Sequence, residues 1–194
     1  PKPATTPTTT LIGRGNLNEF FGETVAGVGD IDRDGYADVV VGGYGVDDST
    51  GWVLVYHGGP SGIGTTATTV LRGPEGRLNN FGQFVTTAGD VNGDGFADVF
   101  IGAPRARDLA GLVYLYYGGP SGLSLTGSTR FTSPGPRFYG GGIGCTGDLN
   151  GDGLTDLFVL AEGGIVYLHA GSVGGVSPTP TTTFSGGLPL YSTA

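Results

Sequence analysis

Three stretches of this chain place carboxylates at one spacing: "DIDRDGYAD" from Asp30, "DVNGDGFAD" from Asp90 and "DLNGDGLTD" from Asp148. All obey the pattern D-x-[DN]-x-D-G-x-x-D. Side chains crowded like this repel one another strongly unless a cation sits among them. A hard cation such as calcium takes six to eight oxygens from carboxylates, amides, carbonyls and water. The first stretch offers Asp30, Asp32, Asp34 and Asp38. The second offers Asp90, Asn92, Asp94 and Asp98, and the third Asp148, Asn150, Asp152 and Asp156. Gly35, Gly95 and Gly153 at position six permit a sharp turn. That turn lets the backbone carbonyls of Tyr36, Phe96 and Leu154, at position seven, face the ion. About three calcium ions per chain are expected. The first loop, with four carboxylates, is expected to bind most tightly.

The net charge is −8, and ten of the seventeen acidic residues lie in these loops; without them the charge would be +2. The acidity is therefore loop acidity, not a surface tuned for basic partners. No nucleic-acid partner is expected. No apolar run is long enough to insert in a membrane as a helix, and no signal-peptide pattern is visible.

The elements that must position these loops also repeat. Asp30, Asp90 and Asp148 are spaced by 60 and 58 residues. Phe21-Gly22, Phe81-Gly82 and Tyr139-Gly140 precede them. The short apolar runs "ADVVVG", "ADVFIG" and "TDLFVL" follow, then "GWVLVYHGGPSG", "GLVYLYYGGPSG" and "GIVYLHAGSVGG". These runs are β-branched and aromatic, and are bounded by Gly, Pro and Asp, which marks strands. Strands after the acidic loops exclude an EF-hand or dockerin, whose loops lead into helices. A Thr-rich strand closes each unit, as in "TTATTVLRG" from Thr65 and "TGSTRFTS" from Thr126. Four strands in about 60 residues describe a β-propeller blade.

The reading is all-β, with three four-stranded blades and an extra outer strand. Residues 1–16 form that outer strand and entry loop, 17–76 blade 1, 77–134 blade 2, and 135–194 blade 3 with a terminal outer strand. The outer strand is expected because "TTPTTTL" from Thr5 aligns with "TTATTVL" from Thr65, and "TPTTTF" from Thr179 resembles it. Three blades cannot close a ring, since closed propellers need roughly four to eight. Two apolar blade faces are expected to lie uncovered. Self-association, or membership of a longer propeller, follows.

At these residues the chain resembles the FG-GAP repeats of integrin α-subunit propellers and of secreted bacterial proteins. The naming motif stands as Phe81-Gly82 with Gly102-Ala103-Pro104, and more weakly as Phe21-Gly22 with Gly42-Gly43-Tyr44. In the third unit it is degraded to Tyr139-Gly140 with Leu160-Ala161-Glu162. The resemblance implies one calcium in each hairpin between the first two strands of a blade. It also implies an extracellular binding or adhesion scaffold for a protein or glycan ligand. The alternative is an accessory or lectin-like propeller region of a larger secreted hydrolase or lyase.

No catalytic constellation appears, and a non-enzymatic role is expected. "GIGCTG" from Gly142 leads into an acidic loop and not a helix, so it is no dinucleotide fingerprint. "GGPSG" fails the nucleophile-elbow spacing. His57 and His169 occupy non-equivalent positions without an evident partner and read as structural. The lone Cys145 falls in a strand and reads as a small core residue. The loops opposite the acidic turns carry Arg14, Arg72, Arg77, Arg105, Arg107 and Arg137. Of these, Arg14, Arg77, Arg105, Arg107 and Arg137 are the candidate partner-binding residues, suited to an acidic ligand.

Overall fold

The computed structural model describes residues 9–13, 19–126 and 128–186. It contains three four-stranded antiparallel sheets. The first comprises β1 (Val25–Gly29), β2 (Asp38–Gly43), β3 (Trp52–Tyr56) and β4 (Thr69–Arg72) in that order. The second repeats it with β5 (Phe84–Gly89), β6 (Asp98–Ala103), β7 (Leu112–Tyr116) and β8 (Thr129–Thr132). The third begins with β9 (Gly142–Gly147), β10 (Asp156–Ala161) and β11 (Ile165–His169). A small hairpin follows, β12 (Gly171–Ser172) with β13 (Gly175–Val176), before the outer strand β14 (Thr182–Ser185) completes the sheet. These are β-propeller blades, with the first strand of each against that of the next, β1 on β5 and β5 on β9. No helix among the described residues is long and apolar enough to cross a membrane.

Side chains alternate across each sheet, so each middle strand feeds two interfaces. Between blades 1 and 2, Val40, Val53 and Leu71 meet Ile101, Leu112 and Tyr114, with Phe81 inserted among them. Between blades 2 and 3, Phe100, Val113 and Phe131 meet Leu157, Val159 and Tyr167, with Tyr139 in the place of Phe81. β7 is buried along its whole length because both its faces are covered.

The two outward faces differ from each other. On blade 1, Trp52, Leu54 and Tyr56 are buried, in a cluster against which Leu11, Phe21 and Ile63 pack. The expectation of two uncovered faces is therefore corrected: the first blade's face is covered from within the chain. On blade 3, Leu160 is 38% and Phe184 56% exposed, beside half-buried Val166 and Leu168. Of the expected outer strand at 1–16, residues 9–13 form no strand, and the rest lies outside the described residues.

The loops at the end opposite the acidic hairpins hold an unusual backbone. Asp47, Asp48 and Ser49 are consecutive left-handed residues (φ 49°, 56°, 61°), and so are Arg107, Asp108 and Leu109 (φ 53°, 56°, 72°). Such residues cost about 1 kcal/mol or more each and persist only where their surroundings fix them. Here the turn carbonyls accept amides from the next blade's entry loop. Leu78 N donates to Asp48 O and Asn79 N to Ser49 O; Phe138 N donates to Leu109 O one blade later.

Candidate metal centre

Each acidic stretch closes the hairpin between the first two strands of a blade. The first aspartate folds the loop around itself. Asp30 accepts the amides of Gly35 (2.8 Å) and Asp34 (3.1 Å). Asp90 does the same for Gly95 and Asp94, and Asp148 for Gly153 and Asp152. These amides, led by Gly153, hold the Asp148 carboxyl below the usual carboxylate range. The fifth-position aspartates accept the amides of Tyr36, Phe96 and Leu154. Gly35, Gly95 and Gly153 have φ of 91°, 87° and 85°, the left-handed turn that glycine takes without strain.

The ninth position behaves differently. Asp38, Asp98 and Asp156 are buried. Asp38 accepts Ile31 N and Gly58 N, both at 2.8 Å. Asp98 accepts Val91 N and Gly118 N, and Asp156 accepts Leu149 N and Gly171 N. Each thus ties its own loop to the end of the third strand. Burial pushes the Asp98 carboxyl up to about 6, against the pull of its two amides, and raises Asp38 as well. Such groups gain from a neighbouring cation.

In the first loop, oxygens of Asp30, Asp32 and Asp34 lie within 4.8 Å of one another; Asp32, Asp38 and His57 form a second such group. The loops thus gather hard oxygen donors, which fit a cation such as calcium. In the second and third loops the third-position amide turns inward. Asn92 Nδ2 donates to Asp94 (2.9 Å) and Asn150 Nδ2 to Asp152 (2.8 Å).

Sequence reasoning missed the partner of His57. Its Nδ1 lies 2.7 Å from Asp32 Oδ2, while its Nε2 is buried with no hydrogen-bond partner among the described residues. The position before the clamped glycine is Tyr117 in the second unit and Ala170 in the third. That difference, beside the one loop with aspartate at position three, was the available signal. His169 is partnered too: Nδ1 faces Ser177 O at 2.9 Å and Nε2 faces the Tyr139 hydroxyl at 2.5 Å. Half-buried Cys145 lies in β9, and burial pushes its thiol up to about 11, which makes it a poor nucleophile.

The candidate arginines are only partly gathered. Arg77, Arg105 and Arg107 line one cavity of about 390 Å³ with Glu75, Asn79 and Asp108. Arg77 pairs with Asp48, and Arg107 with Glu75 at 3.6 Å. Arg137 instead sits over the Phe138 ring. Arg14 lies outside the described residues. Of the described candidates, Arg77 and Arg107 are thus paired with carboxylates, whereas Arg105 and Arg137 form no ion pair among the described residues.

Residues 81–116 match the FG-GAP repeat family. Over 173 residues the chain is 34% identical to mouse integrin alpha-X, covering 84% of this chain and 15% of that protein. It is 34% identical to human integrin alpha-D over 163 residues (79% and 14%). Against Drosophila melanogaster integrin alpha-PS3 it is 31% identical over 163 residues (79% and 14%). The chain belongs to the FG-GAP repeat family, of the integrin α type. It spans about 15% of the length of the first of these relatives.

The geometry explains the motif that names the FG-GAP family. Phe81 fills the seam, and Gly82 N donates to Gly102 O at 3.0 Å, so the two halves of the motif meet. A Cβ on Gly82 would lie 2.4 Å from Trp52 O, and one on Gly102 2.7 Å from Gly140 O. The same bond joins Gly22 N to Gly42 O and Gly140 N to Leu160 O. The third unit carries Leu160 where the others carry glycine, and that side chain stands on the open face of blade 3.

Proposed function

We propose that this FG-GAP segment is a calcium-stabilised scaffold for binding a protein or glycan ligand outside the cell, with no catalytic role. The observation that carries the reading is the threefold repetition of one oxygen-lined loop, closed each time over a buried aspartate. About three ions would be held. The outer ligands would be Asp30, Asp32 and Asp34, then Asp90, Asn92 and Asp94, then Asp148, Asn150 and Asp152. Asp38, Asp98 and Asp156 would close the sites from below, and the Tyr36, Phe96 and Leu154 carbonyls would complete them. The units 17–76, 77–134 and 135–194 would each contribute one such site. Millimolar extracellular calcium suits this chemistry.

The ligand-facing side would be the loops opposite the ions, around Arg77, Arg105 and Arg107. Arg105 forms no ion pair among the described residues, so it is the arginine available to an acidic group. The open face of blade 3 favours self-association or continuation into a longer propeller.

Calcium titration by calorimetry tests the reading, with melting followed in chelator. About three ions are expected, with one lost in each of Asp34→Ala, Asp94→Ala and Asp152→Ala. A native-state site at a hundredfold excess over Kd adds about 2.7 kcal/mol. Several degrees of Tm should therefore vanish in chelator for a chain of this size. No calcium heat and an unchanged Tm would overturn the reading.

A further inference from the structure

Position four of the acidic motif is glycine in the second and third loops, Gly93 and Gly151, with φ of 76° and 81°. In the first loop it is Arg33, held in the same left-handed conformation at φ 63°. A residue with a Cβ pays for that conformation. The Arg33 side chain does not return to its own loop. Its guanidinium lies on Gly95 of the second loop, where a Cβ would meet Cζ and Nη1 at 2.9 Å. Cζ stands 5.3 Å from the centre of the Phe96 ring, and Nη1 is 3.5 Å from the Asp94 carbonyl oxygen. Ala97 N also donates to the carbonyl of Asp30 at 3.0 Å. One side chain of the first ion loop therefore rests on positions five to seven of the second, the residues that would supply its ligands. The second loop has no counterpart, since Gly93 has no side chain to reach the third.

We propose that Arg33 couples the first two ion loops, so that calcium in the first loop tightens calcium binding in the second. The inference rests on the calcium reading above. An ion in the first loop removes the repulsion among its four carboxylates and fixes its backbone. That holds Arg33 in its left-handed conformation, with the guanidinium over Asp94, Gly95 and Phe96, and orders the second loop before its ion arrives. Pre-ordering raises affinity because the ordering cost is already met. The positive charge of Arg33 opposes a second cation. That repulsion acts whether or not the first loop is filled, and the exposure of Arg33 to water weakens it, so ordering sets the coupling. Coupling of this kind is reciprocal, and typical values span 5–150-fold in affinity.

A thermodynamic cycle tests this in the full chain carrying Asp152→Ala, which leaves the first two loops to be titrated with calcium by calorimetry. Adding Asp34→Ala silences the first loop. With Arg33 present, that change should weaken the second site about fivefold or more. In an Arg33→Gly background, which places in loop one the residue the other loops carry, the same change should alter the second site less than about twofold. Amide exchange at residues 94–97 should slow on filling the first loop only when Arg33 is present. A second site indifferent to the first with Arg33 present overturns the coupling, and so does one that tightens when the first is lost. An equal loss in both backgrounds means the connection runs through Asp30 and Ala97, and it overturns the role of Arg33. Absence of calcium heat in every variant, the parent chain included, removes the calcium reading itself.

Discussion

The seam between blades 1 and 2 and the seam between blades 2 and 3 are built from equivalent residues of one repeat, yet their polar groups are handled oppositely. In the first seam the Tyr114 hydroxyl is buried with no hydrogen-bond partner among the described residues, beneath the edge of Phe81 at 5.6 Å between ring centres. In the second, the ring in the place of Phe81 is Tyr139, whose hydroxyl meets the buried His169 at 2.5 Å. Phe131 adds an edge-on contact to that imidazole at 5.3 Å. The first seam is apolar in its middle and joined at its rim, where Arg33 crosses to the second loop and Ala97 N reaches Asp30 O. A repeat thus fixes shape and strand register at both seams, while single substitutions decide whether polar or apolar contacts hold them.

The largest way to break the comparison is Phe81→Ala. It removes a fully buried ring, and such truncations cost about 3–5 kcal/mol. The loss should be local to its seam. Amide exchange should rise across β1–β4 while β9–β11 stay protected. Equal exchange throughout would show that the two seams melt as one unit.

A pair of hydroxyl deletions sharpens it. Tyr139→Phe strands the buried Nε2 of His169 without its partner, and should cost about 1–2 kcal/mol in urea unfolding. Tyr114→Phe removes a buried hydroxyl that has no partner, and should be neutral or stabilising by about 1 kcal/mol. The same sign for both would erase the difference drawn between the seams.

The smallest effect is the response to acid. Burial lowers the pKa of His169. Between its folded and unfolded values the unfolded chain takes up a proton that the native chain refuses. Stability is therefore present above about pH 6.5 and is lost as pH falls through that window. In calcium-loaded protein, Tm should drop between pH 7 and pH 5, and His169→Gln should flatten that slope. An unchanged slope would remove His169 from the account.

Much of this molecule was legible in its residues because it is local and written three times. The glycine at position six, the strand after each acidic loop, and Phe81-Gly82 with Gly102-Ala103-Pro104 each report a short-range requirement. Aligning the units shows every one of them. Four-stranded blades followed from that alone. The differences between units were equally visible, as Arg33 against Gly93 and Gly151, or Leu160 against Gly42 and Gly102, but their meaning was not. Whether Arg33 reaches solvent or the next loop depends on how two blades pack. So does the encounter of Tyr139 with His169, 30 residues apart.

The ninth aspartates show the same division. Sequence marks Asp38, Asp98 and Asp156 as oxygens of the motif. Only the fold buries them and aims the amides of Gly58, Gly118 and Gly171 at them from just beyond the third strand of each blade. The left-handed runs at Asp47–Ser49 and Arg107–Leu109 go further, since side-chain-bearing residues visit that backbone singly and not three in succession. There the amides of the neighbouring blade outweigh local preference. Sequence by itself determined the repeat, its strands and the oxygen-lined loops, because neighbouring residues along the chain specify them. Tertiary structure decided which side chains meet, which end face is covered and where strain is held, because those depend on contacts between blades.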